Sequence, residues 1–356
     1  MRFLFDAYWW VEGPGANRTV LREIIAAWTA RFPDDELFAT VPRRHLAAAQ
    51  ADAPAAVTFV PVQAPLHALA NLFELPGIIR RIAPDATIAQ NYTPLREKSH
   101  TFIHDLMFLD SPEWFSRSER LYFWPMAPSA RRAEGILTST RTEADRVAQR
   151  TGHRNITAVG LAVAADILEA EATPPSADLV GGDFAVSVGR LNVRKNLQNA
   201  ILGAGYSARI TPQSPLLIVG ESDPRSKSAV LSAEVSGLID SGAVRFLGHV
   251  SQGELKWLYE NAQLAVYISL DEGFGLPPIE AAHFGAPVLV SDISVFRETM
   301  GDGAEFVPAH DVAAIASGID RAWGRKTVQR APNDSPTSYC WTRTAERIRA
   351  AVTTGD

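Results

Sequence analysis

The stretch Ser269–Val290 decides the predicted fold; its sequence is S-L-D-E-G-F-G-L-P-P-I-E-A-A-H-F-G-A-P-V-L-V. An apolar run ends just before it, at Ile268, so the pattern predicts a strand, a tight glycine-bearing loop and then a short helix. The two prolines are tolerated in the first turn of that helix, because an N–H group there has no intrahelical partner to lose. Gly285 and then Pro287 form the usual stop signal of a helix.

Two glutamates frame this loop and the start of the helix. Glu272 lies in the loop and Glu280 lies about one turn inside the helix. The exposed amides at a helix start attract anions. The layout therefore fits a ligand with a negatively charged phosphate and a hydroxyl-rich body. A capped connection with two solvated glutamates would explain the same residues, and this stretch alone leaves both interpretations open.

Length and composition bound the class of protein. A chain of 356 residues is too long for one ordinary core and predicts two domains. The net charge of −6 argues against a general nucleic-acid-binding or anionic-membrane surface. The single cysteine, Cys340, excludes an internal disulfide framework and fits a reducing compartment. Asp6 and Glu12 interrupt any signal-peptide core, and no apolar run approaches the roughly 18 residues that span a bilayer, so we expect a cytoplasmic protein.

Short apolar segments alternate with helical ones along the chain, which predicts parallel α/β sheets covered on both faces. Residues 165–183, with Pro174-Pro175 and Gly181-Gly182, are interpreted as a linker between the two domains. Residues 324–338 are interpreted as a loop, and Trp341–Val352 as a final helix. The expected strands are 2–8, 36–41, 58–60, 86–90, 100–104 and 135–138 before the linker, and 184–188, 216–219, 244–247, 264–268 and 288–290 after it.

A glycine-bearing loop follows the first strand and contains Gly13 and Gly15. Strand, loop and then helix, here from about Thr19 to Phe32, is the arrangement that points backbone amides at a phosphate. The loop lacks the dinucleotide fingerprint, because Arg18 stands where its third glycine would be. A plain turn is the alternative.

His100 and His104 are four residues apart, a spacing that binds metals on a helix. On the strand predicted here the same spacing covers roughly 13 Å, so we predict no metal site. His104 falls at the carboxyl end of its strand, the edge where open α/β sheets bind ligands. A purely structural histidine fits this position equally well.

Two basic residues, Arg190 and Lys195, follow a strand of the second domain in S-V-G-R-L-N-V-R-K-N-L, residues 187–197. Both could project toward one anion, although a solvated basic turn is the alternative. Neither a nucleophile elbow nor a Walker A phosphate loop occurs in the sequence.

With these two cations and the two glutamates in this order, the sequence resembles the retaining nucleotide-sugar glycosyltransferases of the GT-B type, family four. The segments V-G-R-L-x3-K-N at 188–196 and E-G-F-G-L-P-P-I-E-A-x3-G-A-P-V at 272–288 are similar to that family's most diagnostic blocks. Supporting similarity covers most of the chain: I-H-D-L-M-F-L-D at 103–110, L-T-S-T-R-T-E-A at 137–144, F-L-G-H-V-S-Q-G-E-L at 246–255 and S-D-I-S-V-F-R-E at 291–298.

The resemblance implies an α/β GT-B fold, with two Rossmann-like parallel-sheet domains facing each other across a cleft. Residues 1–170 would form the acceptor domain, to which a C-terminal helix at 341–356 crosses back, and residues 183–338 would hold the donor nucleotide. Arg190 and Lys195 would neutralise the donor diphosphate, a task that metal ions perform in other transferases. We therefore expect neither a metal nor a cofactor.

The resemblance also implies roles for the remaining site residues. Glu272 would accept hydrogen bonds from hydroxyls of the donor sugar, and Glu280 from the ribose. His104 would touch the donor sugar near the reacting carbon. The other residues expected to bind the donor are Gly13, Gly15, Val250, Gly273, Phe274, Gly275 and Leu276.

The implied activity is the transfer of a hexose, with mannose from GDP-mannose ranked first, to a glycan or lipid-linked acceptor in cell-surface polysaccharide synthesis. The protein would meet this acceptor peripherally at the inner face of the plasma membrane, with no nucleic-acid partner. A nucleotide-sugar epimerase or a sugar phosphorylase on the same fold is one alternative. A non-catalytic nucleotide-sugar-binding subunit is another. The sequence does not decide between front-face attack and a covalent intermediate.

Overall fold

A computed structural model of the chain describes residues 1–220, 232–325 and 339–353. The chain divides into two compact units. The first comprises Met1–Pro112, Arg117–Ala162 and Tyr339–Asp356, and the second comprises Glu113–Ser116 and Val163–Ser338. The loop predicted at 324–338 lies outside the described residues from position 326 onward.

The first unit is built on a seven-stranded parallel sheet with helices between its strands. Its strands are β1 (Arg2–Asp6), β2 (Glu36–Pro42), β3 (Val57–Val62), β4 (Ala86–Gln90), β5 (His100–Phe102), β6 (Gly135–Thr138) and β7 (Ile156–Ala158). They lie in the order β3-β2-β1-β4-β5-β6-β7, and each neighbouring pair is parallel. The helices are α1 (Gly15–Arg31), α2 (Leu46–Asp52), α3 (His67–Leu69), α4 (Leu75–Ile82), α5 (Met107–Asp110), α6 (Arg117–Phe123), α7 (Met126–Ala130) and α8 (Arg141–Thr151). Every residue of β4 and β5 is buried, as expected of a parallel sheet covered on both faces.

The second unit repeats this design with six strands. These are β8 (Ala185–Val188), β9 (Leu216–Val219), β10 (Val244–Gly248), β11 (Leu264–Tyr267), β12 (Val288–Ser291) and β13 (Glu305–Val307). They are also parallel and lie in the order β10-β9-β8-β11-β12-β13. The helices are α9 (Ala165–Glu169), α10 (Leu197–Tyr206), α11 (Ala233–Asp240), α12 (Gln252–Asn261), α13 (Leu276–His283), α14 (Ser294–Met300) and α15 (Val312–Ala322).

The fold class predicted from the sequence, two parallel-sheet α/β domains, is confirmed. Two strands were missed, β7 and β13. Each has only three residues at the edge of its sheet, too few to form a recognisable apolar run. The predicted linker at 165–183 is also wrong in part, because it contains α9. This helix packs against α12 and buries Ile167 in the core of the second unit.

The C-terminal helix α16 (Trp341–Thr353) packs on the first unit, against α1, as predicted. It buries Ile348 and Val352. At its outer side the guanidinium of Arg349 donates to both carboxylate oxygens of Asp35, at 2.8 and 3.2 Å. Apolar burial and a charge-assisted pair therefore both hold the chain end on the first unit. No helix in the described part of the chain is long and apolar enough to cross a membrane.

Candidate donor-nucleotide site

The strand–loop–helix unit predicted around the two glutamates is confirmed, and its turn depends on Gly275. This residue has φ of +81° and precedes the first residue of α13, Leu276. A Cβ at position 275 would lie 2.5 Å from the ring of Phe296, so both the backbone angle and the space require glycine. The chain therefore turns tightly between β11 and α13, at the carboxyl end of the sheet.

Glu272 lies in this loop and is held by four side-chain contacts. Lys195 Nζ donates to Glu272 Oε1 at 2.6 Å, and Arg194 Nη1 donates to Oε2 at 2.6 Å. Ser269 Oγ also donates to Oε1, at 2.8 Å, and the backbone N–H of Glu272 donates to the carboxylate of Asp271 at 2.8 Å. Both oxygens of a carboxylate that is only 6% exposed therefore have charged partners.

The pKa values of Glu272 and Lys195 are both lowered, but for different reasons. Burial alone would raise the pKa of Glu272, but the charges of Arg194 and Lys195 lower it to about 2. Burial lowers the pKa of Lys195, and Arg194 adds to that effect while Glu272 opposes it. The carboxylate of Glu272 has two cations as neighbours, whereas the ammonium of Lys195 has one cation, Arg194, and one anion, Glu272. With Arg190, which lines the adjacent cavity, three cations here stand against the carboxylates of Glu272 and Asp271, and this excess of one positive charge favours an anionic ligand.

Arg190 and Lys195 lie close to one another in the second unit. Both line a narrow cavity at the carboxyl end of β8, which Ser269 also lines. The stem of Lys195 passes over Gly189, where an added Cβ would lie 2.9 Å from Cε. Glycine at position 189 therefore lets the lysine reach the mouth of this cavity from the 3₁₀ turn Val193–Lys195.

Glu280 lies on α13, where its carboxylate contacts α12. Tyr259 on α12 donates its hydroxyl to Glu280 Oε2 at 3.2 Å, and the hydroxyl of Tyr267 lies 3.4 Å from that of Tyr259. Burial is the main reason that the pKa of Glu280 rises to about 7, and the charge of Asp166 adds to it. The hydrogen bond from Tyr259 and the charge of Lys195 act in the opposite direction.

Two predicted donor-binding side chains turn inward. Phe274 is 5% exposed, so only its backbone is available to a ligand. Val250 is half-buried and packs against the core of the second unit, directly before the capping box that starts α12 at Ser251. Val250 therefore stands just past the carboxyl end of β10, on the same sheet edge as Glu272.

His104 lies in the first unit, two residues beyond the end of β5, so the strand predicted to reach it is two residues too long. Its Nε2 is 3.1 Å from the amide oxygen of Gln90. A carboxamide oxygen only accepts, so Nε2 carries the proton in this pair. Burial, and secondarily the nearby His67, lower the pKa of His104 to about 4, so the ring is neutral at pH 7.

Gly13 lies in the loop before α1, and Gly15 begins that helix. Gly13 has φ of +144°, and an added Cβ would lie 2.6 Å from the side chain of Trp9. Gly15 is the first residue of α1, and nothing lies within 4 Å of a Cβ built on it. The helix start is therefore open around Gly15, although the sequence placed it at Thr19.

Sequence reasoning missed Arg194, Tyr259 and Gln90. Arg194 stands beside Lys195 in the segment quoted above, but a sequence does not show that a 3₁₀ turn aims two consecutive cations at one carboxylate. Tyr259 and Gln90 contact Glu280 and His104 from other elements, across 21 and 14 positions of the chain. In the described ranges, no group of three or more His, Cys, Asp or Glu side chains is placed to hold a metal ion.

Comparison with known proteins places this site in a family. The family model described as glycosyl transferases group 1 matches residues 174–330. The O-antigen chain mannosyltransferase RfbU of Salmonella typhimurium is 51% identical over 76 residues, 21% of this chain and 22% of that protein. The O-antigen chain mannosyltransferase B of Escherichia coli is 30% identical over 243 residues, 64% of this chain and 62% of that protein. The chain thus matches less than two thirds of either relative's length.

The fold has matches among solved structures. Sucrose-phosphate synthase from Thermosynechococcus elongatus superimposes with a TM-score of 0.66 at 17% identity, over 99% of this chain and 94% of that one. At this identity the likeness concerns the fold alone. The family match covers Arg190, Lys195, Glu272 and Glu280, and residues 174–330 of the chain are thus a group 1 glycosyl transferase domain.

Proposed function

We propose that the chain is a retaining, metal-independent glycosyltransferase that moves a hexose from a nucleotide-diphosphate sugar to a glycan or lipid-linked acceptor. The observation that carries this proposal is the cluster of Arg190, Lys195 and Glu272 beside the start of α13. Similar proteins are named O-antigen mannosyltransferases, which supports mannose as the sugar and GDP-mannose as the first donor to test.

The proposed chemistry is stabilisation of a leaving group. As the glycosidic bond to the diphosphate breaks, the anomeric carbon gains oxocarbenium character and negative charge builds on the departing nucleotide. Arg190 and Lys195, with the amides at positions 273 to 276, would oppose that charge. Glu272 and Glu280 would accept hydrogen bonds from the sugar and the ribose. The two basic side chains would supply the neutralisation for which other transferases use a metal ion.

We favour front-face attack by the acceptor, because none of the motifs of the first unit contains an evident carboxylate nucleophile. The neutral ring of His104 would contact the donor sugar as a hydrogen-bonding group and not as a cation. Isolation of a protein glycosylated on Asp or Glu during turnover would contradict this mechanism.

The proposed setting is cell-surface polysaccharide synthesis in the cytoplasm. The acceptor would be a lipid-linked or growing glycan at the inner face of the plasma membrane, bound mainly by residues 1–170, while residues 183–338 hold the donor. The relatives' printed names support the polysaccharide setting.

A panel of nucleotide sugars tests the proposal in two steps. Thermal shift first identifies the donor, because a ligand that binds only the folded state raises the melting temperature. The donor is then incubated alone, with phosphate, and with lipid-linked acceptors, in the presence and absence of EDTA. We expect acceptor-dependent release of the nucleotide that EDTA does not reduce. Isomerisation of the donor alone would indicate an epimerase, phosphate-dependent product a phosphorylase, and binding without turnover a non-catalytic subunit.

A further inference from the structure

Three neighbouring strands of the first sheet lead to polar side chains at one edge, where His104 lies. Asp6 ends β1 and Gln90 ends β4, while His104 lies two residues beyond the end of β5. Asp6 and Gln90 are 1% and 4% exposed, whereas His104 is half-buried. The transfer chemistry assigns no role to either buried residue. Gln90 is nevertheless the hydrogen-bond partner of His104, because its Oε1 lies 3.1 Å from Nε2 of the ring.

The backbone of Gln90 is held on both sides by buried hydrogen bonds. Its N–H donates to Asp6 Oδ2 at 3.1 Å, and its carbonyl accepts from Asn71 Nδ2 at 3.0 Å. Asp6 Oδ2 also accepts from Asn71 at 2.6 Å and lies 2.6 Å from His67 Nε2. Movement of this buried carboxylate would leave its charge without partners inside the protein. The end of β4 is therefore held in one position.

The residue after Gln90 has a backbone conformation that is unfavourable by itself. Asn91 has φ of +62°, and the N–H of Tyr92 donates to the carbonyl of Gln90 at 2.6 Å. A three-residue turn with a positive central φ is the strained form of the γ-turn. Asn91 Oδ1 is also buried, with no hydrogen-bond partner among the residues that the structure describes. Such features persist where the surroundings determine them, and they cluster at ligand sites.

The amide of Gln90 determines which nitrogen of His104 carries the proton. A carboxamide oxygen only accepts hydrogen bonds, so Nε2 must donate to it. Since the pKa of His104 is lowered to about 4, the ring is neutral at pH 7 and has a single N–H. The ring also packs against Phe102, with centroids 4.8 Å apart, which limits its rotation. His104 Nδ1 is therefore left with its lone pair and is a hydrogen-bond acceptor.

We propose that Gln90 is a positioning residue that holds His104 in the Nε2–H tautomer, so that Nδ1 accepts a hydrogen bond from one hydroxyl of the donor sugar. Such a site discriminates against a sugar that lacks this hydroxyl, because its acceptor is then left unpaired. With the opposite tautomer Nδ1 would donate, and it would fit any oxygen of the donor, including those of the phosphates. The inference rests on the proposed function for the sugar, whereas the tautomer is a property of the free protein.

¹⁵N NMR of the full chain, labelled at histidine, tests the tautomer without any substrate. The shifts of the two ring nitrogens show which one is protonated, and the signals of His104 are identified by their loss in His104→Gln. At pH 7 we expect the Nε2–H form in the unchanged protein. We expect a mixture of both forms in Gln90→Met, which keeps the side-chain length but lacks the amide oxygen.

The matched control is Gln50→Met, at an exposed position of α2. Glutamine and methionine have similar helix propensities, so this variant should leave the tautomer of His104 unchanged. The Nδ1–H form in the unchanged protein would overturn the proposal. An equally pure Nε2–H form in Gln90→Met would overturn it as well, because the tautomer would then not depend on Gln90.

Kinetics with monodeoxy analogues of the preferred nucleotide sugar test the consequence for specificity. In the unchanged protein, removal of the hydroxyl bound by His104 should lower kcat/KM about tenfold, the size of one hydrogen bond. In Gln90→Met the complete donor should react more slowly, and this discrimination should fall to about threefold or less. Gln50→Met should retain it in full. Discrimination of the same size in Gln90→Met for every analogue would contradict the role of Gln90.

The two experiments separate the possible failures. If the chain turns over no nucleotide sugar, the proposed function fails, and the NMR measurement still tests Gln90. The Nδ1–H form together with normal transfer would refute the role of Gln90 alone. Thermal melts verify that Gln90→Met is folded. If it is not, the tautomer of His104 in the unchanged protein supports or overturns the proposal.

Discussion

Lys195 Nζ lies 2.6 Å from Glu272 Oε1, although we assign these two side chains to different parts of the donor, the diphosphate and the sugar. The pair keeps two largely buried charges neutralised, at 16% and 8% side-chain exposure. Donor binding would replace this contact with one between ammonium and phosphate and one between carboxylate and hydroxyl. Arg194 would remain on Glu272 during the exchange, since it bonds the other carboxylate oxygen.

Replacement of Lys195 by alanine should lower turnover roughly a hundredfold or more, because one preorganised donor to a leaving group is worth on the order of 3 kcal/mol. The fold should persist, since Glu272 keeps Arg194 and Ser269 as partners. Initial rates at saturating donor measure the effect. The control is Arg321→Ala, which removes an exposed cation paired with Glu305. Near-normal turnover in a folded Lys195→Ala protein would refute the assignment.

Arg194→Gln tests whether this arginine positions Glu272. The variant removes the partner of Oε2, so the carboxylate becomes less fixed and its pKa rises from about 2 toward the ordinary value. We expect the KM for the donor to rise about tenfold, with a smaller change in kcat, because the lost interaction orders the binding site.

Steady-state kinetics with varied donor measure this split between KM and kcat. The matched control is Arg297→Gln, which breaks an exposed bidentate pair with Asp292 in the same unit. Arg194→Lys should recover part of the affinity, since it restores a charge near Glu272. A KM equal to that of the unchanged protein would show that Ser269 and Lys195 suffice to hold the carboxylate.

Alanine substitutions at two glycines that flank α13 separate backbone strain from a steric clash. Gly275 and Gly285 both have positive φ, +81° and +89°. Only an alanine at 275 would meet a neighbour, the ring of Phe296, at 2.5 Å, while position 285 opens to empty space. Gly285→Ala should cost about 1 kcal/mol of unfolding free energy and Gly275→Ala about 3 kcal/mol. Urea unfolding measures both. Equal losses would mean that Phe296 moves aside freely.

The sequence predicted the fold well wherever a segment was fully buried. β4 and β6 have the predicted bounds, because a covered parallel strand is a continuous apolar run that ends at the surface. Three-residue edge strands such as Glu305–Val307 carry no such run, and their state depends on pairing with a neighbour distant in sequence. The buried side chains of His67 and Asn71 hydrogen-bond to Asp6, which lies 61 and 65 positions earlier in the chain, so no local pattern predicts their orientation.

The candidate site could be predicted in part for a similar reason. Motifs carry information about residues close together in the chain, so Glu272 and Glu280 were placed correctly on the loop and helix. The ion pairs between Lys195 and Glu272 join positions 77 residues apart, and no local pattern encodes that distance. The roles of these side chains toward a donor stay predictions.

The pKa of Glu280, about 7, predicts opposite effects of pH on stability and on donor binding. The folded-state pKa is raised above the ordinary value of 4.5, so the stability contribution is full below about 4.5 and is lost as the pH rises through 7. Donor binding should instead strengthen through the same range, because the ionised carboxylate is a stronger hydrogen-bond acceptor for the ribose hydroxyls than the protonated acid. Calorimetric titration with GDP-mannose between pH 5.5 and 8.5, about one and a half units on either side of 7, measures this rise in affinity, because its phosphates, unlike the terminal phosphate of GDP, do not titrate in this range. The Glu280→Gln variant should bind the nucleotide sugar weakly, and its affinity should not change through this pH range.

Tyr259→Phe tests the origin of that pKa. The hydroxyl of Tyr259 donates to Glu280 Oε2 and thereby stabilises the ionised form, so its removal should raise the pKa of Glu280 and move the step in GDP-mannose affinity to higher pH. At pH 8.5 or above, where the carboxylate is ionised in both proteins, the two affinities should converge to within a few-fold. Tyr206→Phe, which removes an exposed hydroxyl bonded to Glu234, serves as the control and should leave the step in place. A step at the same pH in Tyr259→Phe would mean that burial and the charges of Asp166 and Lys195 alone set the pKa of Glu280.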